Sequence, residues 1–279
     1  MSSRFRSLRS IVLPLLAAAL TSPARAQAPG GLRVCADPNN LPFTNRRMEG
    51  FENRIADLLA RDMRARLSYT WWAQRRGFFR NTLKAGLCDV VLGVPAGFEM
   101  AATTRPYYRS TYVFVSRAAR NPMPRSLDDE ALRTLRIGVQ LAGNDYNNPP
   151  PAHALSRRGI VDNVVGYSLY GDYSEENPPA RIVEAVARGD IDVAIVWGPL
   201  AGYFAPRQRV RLTVTPVSPS IDPPSLPFVY DICVGVRRGR EDLKKAVQQS
   251  LDRRRGNIQK ILAEYGVPLL PLAQGARGQ

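Results

Sequence analysis

The chain has 279 residues, 44% hydrophobic and 23% charged, with a formal charge of +15 and one histidine. That balance belongs to a globular protein and excludes a disordered one. Three cysteines without metal-ligand spacing, beside a lone His153, exclude a zinc site.

At the N-terminus, Arg4, Arg6 and Arg9 precede an apolar run from Ile11 to Leu20, and Ala24-Arg25-Ala26 follows. A basic segment, a short apolar core and a small-x-small site predict a secretory signal peptide over 1–26. A membrane span needs about 17–25 apolar residues, more than this run offers. No later segment has the length of a membrane span, so the mature chain is expected to be periplasmic with no membrane span. Cleavage removes four arginines and leaves 253 residues carrying about +11. That length suffices for one large domain or two lobes. Such a charge raises nucleic acid, an anionic membrane surface or an acidic protein as partners, or a basic surface with no dedicated partner. Export removes nucleic acid, and an acidic protein is the favoured specific choice.

A strand is predicted over Leu32–Ala36, then a loop from Asp37 to Phe43. Phe51, Ile55, Leu58 and Leu59 have the spacing of an amphipathic helix. A strand over Leu67–Trp72 follows, then a helix from Phe78 to Ala85 stopped by Gly86. Cys88 opens a strand to Val94 that is apolar on both faces. This alternation predicts a parallel sheet covered by helices. The pattern repeats with strands at Leu135–Val139, Val164–Tyr167 and Ile191–Val196. A helix after Asn144 and another from Pro179 to Arg188, stopped by Gly189, connect them. The run from Leu83 to Val90 matches that from Val186 to Val193, so two lobes of one architecture are expected. Phe228–Val236 reads as a strand, and helices at Asp242–Leu251 and Ile258–Tyr265 end the chain. The fold class is α/β, each lobe a doubly wound, mainly parallel sheet with two hinge crossings. Lobe 1 takes 31–117 and 228–270, lobe 2 takes 125–218, the crossings are 118–124 and 219–227, and 271–279 is a flexible tail. In such sheets ligands bind beyond the carboxyl ends of the strands, here the inter-lobe cleft. Cys35 and Cys88 lie on strands that would be neighbours, which makes them the preferred disulfide. Cys233 is then a buried thiol or the true partner of one of them.

Val34-Cys35-Ala36-Asp37 with Pro42-Phe43, then Gly50-Phe51-Glu52, Cys88-Asp89-Val90-Val91-Leu92-Gly93, Pro106-Tyr107-Tyr108 and Ile137-Gly138-Val139-Gln140 stand in the order seen in periplasmic solute-binding proteins for polar amino acids. The resemblance covers roughly 31–270 and implies the two-lobed periplasmic binding protein type II fold. More narrowly, Arg33 to Phe43, Gly50 to Ala56, Tyr69 to Trp72 with Gln74 to Phe78, and Thr103 to Phe114 resemble the MxaJ/XoxJ-type proteins of methanol oxidation. That resemblance implies a partner, a pyrroloquinoline-quinone (PQQ)-dependent methanol or alcohol dehydrogenase using a lanthanide or calcium.

The residues expected at the cleft, for ligand or partner, are Asp37, Asn39, Asn40, Phe43, Glu52, Trp72, Pro95, Asn144, Asp145, Tyr146 and Trp197. Plainer roles compete at several: Asp37 as a loop cap, Glu52 as an acid favoured at a helix start, Trp71 or Trp72 as core. An amino-acid receptor needs an arginine for the ligand's carboxylate. Counting by the family pattern places Met100 there, with Arg105 assigned to the next loop, and Trp197 stands where the second lobe's acid is expected. A desolvated carboxylate without a cation costs several kcal/mol, so free amino acids are disfavoured. With no nucleophile motif near His153, no paired carboxylates and no cofactor signature, no catalytic residue, metal or cofactor is assigned. The expected function is an accessory role to the dehydrogenase through protein binding, aiding its maturation or activation. The alternative is the receptor of an ABC permease for a small ligand other than a free amino acid.

Overall fold

The computed structural model describes residues 30–119, 123–141 and 148–272; the expected signal peptide over 1–26 and the tail 273–279 lie outside them. The chain lays down β1 (Leu32–Ala36), the hairpin β2 (Asn39–Asn40) and β3 (Thr44–Asn45), α1 (Phe51–Asp62), β4 (Leu67–Trp71), α2 (Phe78–Asn81), β5 (Val90–Pro95), β6 (Ala102–Thr103) and a long β7 (Tyr108–Arg117). Next come β8 (Ile137–Gln140), α3 (Pro150–Arg157), β9 (Val164–Tyr167), α4 (Arg181–Arg188), β10 (Val193–Trp197), α5 (Gly198–Phe204) and β11 (Leu212–Pro216). The hairpin β12 (Ile221–Asp222) and β13 (Leu226–Pro227), then β14 (Val229–Val236), α6 (Glu241–Arg253) and α7 (Arg255–Glu264) complete it. The main sheet runs β4-β1-β5-β14-β7-β10-β8-β9, with β11 added beside β7 and β6 beside β14. Its two flanks, β4-β1-β5 and β10-β8-β9, are parallel. The chain thus has the two-lobed type II binding-protein architecture.

In the first lobe α1, α6 and α7 cover one sheet face, burying Phe51, Ile55 and Leu59 from α1 with Val34, Leu92 and Val234. The other face carries a smaller cluster around Phe78, Leu83, Val91 and the Cys35–Cys88 disulfide, with Cys233 a buried free thiol. The second lobe buries Ile182, Val186 and Val196 on one face, and Ile137, Val139, Leu155 and Phe228 on the other.

α1 begins where it does because a side chain is impossible at Gly50: a Cβ there would lie 1.9 Å from the Phe43 carbonyl oxygen. Asn53 fixes the entry, its Oδ1 accepting from the amides of Gly50 (3.1 Å) and Asn45 (3.0 Å). α2 ends at Asn81, four residues before the expected Ala85, because the Thr82 hydroxyl donates to the Phe78 carbonyl at 2.6 Å. It thereby takes the acceptor that a continuing helix would give to its own amide.

The passages between lobes differ from the sequence expectation. Tyr108–Thr111 pair with β14, while Tyr112–Arg117 pair with β10 and β11 in the second lobe. The outward passage is therefore the middle of β7, not the proline stretch 118–124, and 112–117 belong to the second lobe's sheet. The 219–227 stretch likewise packs on the second lobe, where Asp222 is held by Arg158 at 2.6 Å. The chain returns at Phe228–Val229, beside its point of departure: Tyr112 N donates to Phe228 O at 2.8 Å, and Thr111 pairs with Val229.

Candidate functional site

Asp37 follows β1 and Gln74 follows β4, so both stand at the carboxyl ends of parallel strands. Asp37 is 1% exposed, and its carboxylate accepts from the amides of Asn39 (2.8 Å) and Gln74 (2.7 Å). Burial pushes its pKa up, and those two amides with the Arg75 charge pull the other way. Its backbone carbonyl accepts from Thr44 Oγ1 at 2.8 Å. Asp37 thus organises the loop that carries Asn39, Asn40 and Leu41. Asn40 Nδ2 donates to Gln74 Oε1 at 3.0 Å, leaving its own Oδ1 buried without a partner.

From this loop the first lobe grips the second. Asn39 Nδ2 donates to the carbonyls of Glu175 (2.8 Å) and Asp172 (3.3 Å). Arg75 donates to the carbonyls of Tyr170 (Nε, 3.1 Å) and Gly171. Arg47 approaches Glu176 at 3.6 Å, and Leu41 is buried in the second lobe's own cluster beside Leu169 and Ala180. Two acidic side chains of this 170–176 segment turn instead to Arg181, which meets Asp172 at 2.6 Å and Glu175 at 2.5 Å. The cleft is closed, with a strap of main chain across its mouth. Outside the strap an open cavity of about 420 Å³ remains, bounded by Pro38, Arg46 and Arg47 of the first lobe and Tyr173 and Glu176 of the second.

The floor is aromatic. Trp197, at the end of β10, meets Tyr112 and Tyr230 edge-on at 5.3 and 5.9 Å. Glu52 enters this region from the first turn of α1. It is 8% exposed, no cation acts on it, and desolvation pushes its pKa up to about 8. Its charge would be felt by Tyr69, Tyr107, Tyr108 and Tyr170. The hydroxyls of Tyr69 and Tyr107 are buried without a hydrogen-bond partner. Gly93 makes room for the acid: a Cβ there would lie 2.2 Å from Glu52 Oε1. A floor of this kind accepts apolar or aromatic groups and a protonated acid, and it presents no cation to a ligand's carboxylate.

The other expected residues are scattered. Phe43 packs on Phe51 at 5.3 Å in the first lobe's core. Pro95 ends β5 opposite Ile232. Trp72 is 43% exposed, with its amide tied to Ala36 O. Asn144, Asp145 and Tyr146 lie outside the described residues. Met100 is not at the cleft: it is 51% exposed on the opposite end of the first lobe, so counting from Gly93 does not locate the arginine position of a receptor. Arg105 pairs with Asp252 of α6 at 2.6 Å. Arg75 is one of the cations that do face the mouth, and its signal is the Gln74-Arg75-Arg76 run after β4. Leu41 and the 170–176 strap carry no comparable signal.

No protein-family model matches the chain. It is 34% identical over 270 residues to Protein MoxJ of Paracoccus denitrificans, covering 91% of this chain and 94% of that protein. Among solved structures it superposes on the periplasmic binding protein XoxJ from Methylobacterium extorquens AM1, with a TM-score of 0.70 and 34% identity over 86% of this chain and all of that one. MxaJ from Methlophaga aminisulfidivorans MPT gives a TM-score of 0.74 at 25% identity, again over 86% of this chain and the whole of that one. With that identity along nearly its whole length, the chain belongs to the MoxJ family.

Proposed function

We propose that this chain is an exported periplasmic accessory protein of a PQQ-dependent methanol or alcohol dehydrogenase, assisting its maturation or activation by binding a segment of it, and that it is not itself an enzyme. The carrying observation is the mouth of the cleft, where side chains of Asn39 and Arg75 donate to four backbone carbonyls of residues 170–175. Donors set at peptide spacing suit an extended polypeptide better than a metabolite. The aromatic floor around Trp197 offers an apolar anchor point, and the unpaired Glu52 argues against a ligand carboxylate there. Membership of the MoxJ family supports the choice of partner.

Co-incubation of the apo-dehydrogenase from the same organism with this protein tests the reading. A rise in specific activity on reconstitution, or co-elution at low salt, is the expected result. No change in either, together with thermal stabilisation by a small molecule, favours a transport receptor and overturns it. A ligand at 100 times its dissociation constant adds about 2.7 kcal/mol of stability, well within a thermal-shift measurement.

A further inference from the structure

The first lobe carries a second concavity, at the end of its sheet opposite the cleft. Parallel strands β1 and β5 begin there, and β14 ends there, with Val236 opposite Val90. The cavity measures about 480 Å³ and is lined by Arg80, Leu83, Lys84, Met100, Arg237 and Arg238, with Glu99 as the lining acid. Beside it the buried Asp89 is shared by Arg33 (2.7 Å), Arg237 (3.2 Å) and Arg240 (3.4 Å), so this hub is itself cationic. The Nε of Arg237 is buried with no hydrogen-bond partner. Arg80 and Lys84 are exposed and make no ion pair among the described residues. Met100 and Leu87 stand exposed at 51% and 48%. One sign of charge over low-dielectric walls focuses potential and selects the opposite charge, while a thioether presented to water offers an adaptable apolar contact.

We infer that this pocket is a docking site for an acidic polypeptide segment that carries an apolar side chain next to its carboxylates. The carboxylates meet Arg80, Lys84 and the exposed Arg238, and the apolar side chain covers Met100. At about 480 Å³ the concavity has the size of a ligand pocket, which suits the projecting side chains of a peptide rather than a flat membrane. This site is separate from the cleft, and its test uses no dehydrogenase.

The probe is a fluorescein-labelled octapeptide of glutamates flanking one leucine and one phenylalanine, titrated by anisotropy at low salt. Binding is expected, weakened at least tenfold by Arg80→Glu with Lys84→Glu, and at least threefold by Met100→Ser. The same charge change on the second lobe, Arg209→Glu with Arg211→Glu, is expected to leave affinity within twofold. Equal weakening by both pairs means the net charge alone is being read, and overturns the proposal. No binding at all overturns it too, as does tight binding to vesicles of anionic lipid with none to the peptide. Circular dichroism melts check each variant, and Arg238→Ala with Met100→Ser replaces the first pair if that pair unfolds.

Discussion

Glu52 shows how one buried acid makes a whole protein sensitive to pH. Its carboxyl is held in an apolar, tyrosine-lined region with no cation, and its pKa rises to about 8. A raised folded-state pKa means the folded state prefers the protonated acid. The stabilisation this gives is complete below the unfolded pKa of the ordinary carboxylate range, and is lost as pH climbs through about 8. Urea unfolding should therefore show stability falling between about pH 5 and pH 8, by an amount on the order of a few kcal/mol. Glu52→Gln keeps the shape and removes the proton, so its profile should be flat through that window and the variant should exceed the wild type at pH 8.5. A wild-type slope that persists in the variant would assign the effect elsewhere. Gly202 makes the steric counterpart: a Cβ there would lie 1.9 Å from the Gly266 carbonyl oxygen, where α5 meets the end of α7. Neither partner is a flexible side chain, so Gly202→Ala should destabilise by about 1–3 kcal/mol, read as a lower midpoint at unchanged m-value.

At the scale of elements, what the sequence makes legible follows burial. β5 and β10 are buried on both faces, so each is a continuous apolar run, and Gly189 marks the end of α4 with the left-handed backbone such stops require. β7 hid itself, because it serves two sheets. Ser110, Thr111 and Ser116 are buried in it at 0%, 2% and 3% exposure, since its polar side chains meet backbone at the lobe junction instead of facing water. α5 was not expected from the sequence; it opens with Gly198-Pro199, a proline well placed in the first turn of a helix. In the cleft, Asp37 and Trp197 were visible as a loop acid and a strand-end aromatic. The strap was not, because its partners are carbonyls of residues 170, 171, 172 and 175, and a carbonyl looks alike in every residue. The strap makes a prediction of its own. Asn39→Ala with Arg75→Ala should speed amide exchange over 168–177 by tenfold or more and raise the radius of gyration in small-angle scattering, with the exchange of β1 and β10 unchanged. If the strap stays protected, Leu41 and the Arg47–Glu176 pair hold the lobes without those four bonds. The Cys35–Cys88 bond acts across 53 residues between neighbouring strands, and replacing both by serine should cost about 2–4 kcal/mol.

The whole molecule sets a closed cleft at one end of the first lobe and a basic, partly apolar pocket at the other, on a chain whose formal charge is +15. Charge spread this way acts mainly on encounter. Long-range attraction steers an acidic partner before contact and is screened over about 10 Å at 0.1 M salt, whereas bonds already formed at the cleft mouth lie within a few ångströms and lose far less. Salt should therefore divide the two rate constants with the dehydrogenase proposed as partner. Between 20 and 200 mM NaCl the association rate should fall about tenfold or more, as it does where steering dominates. The dissociation rate, set by the strap residues and the aromatic floor, should change by no more than about threefold. Biolayer interferometry with the dehydrogenase immobilised measures both. Arg80→Glu with Lys84→Glu should reproduce the slow association of high salt at low salt, and Arg75→Ala should quicken dissociation at every salt concentration. Should the double charge reversal leave association at low salt unchanged, the far pocket would take no part in the encounter with this partner, and the steering would have to come from the rest of the basic surface.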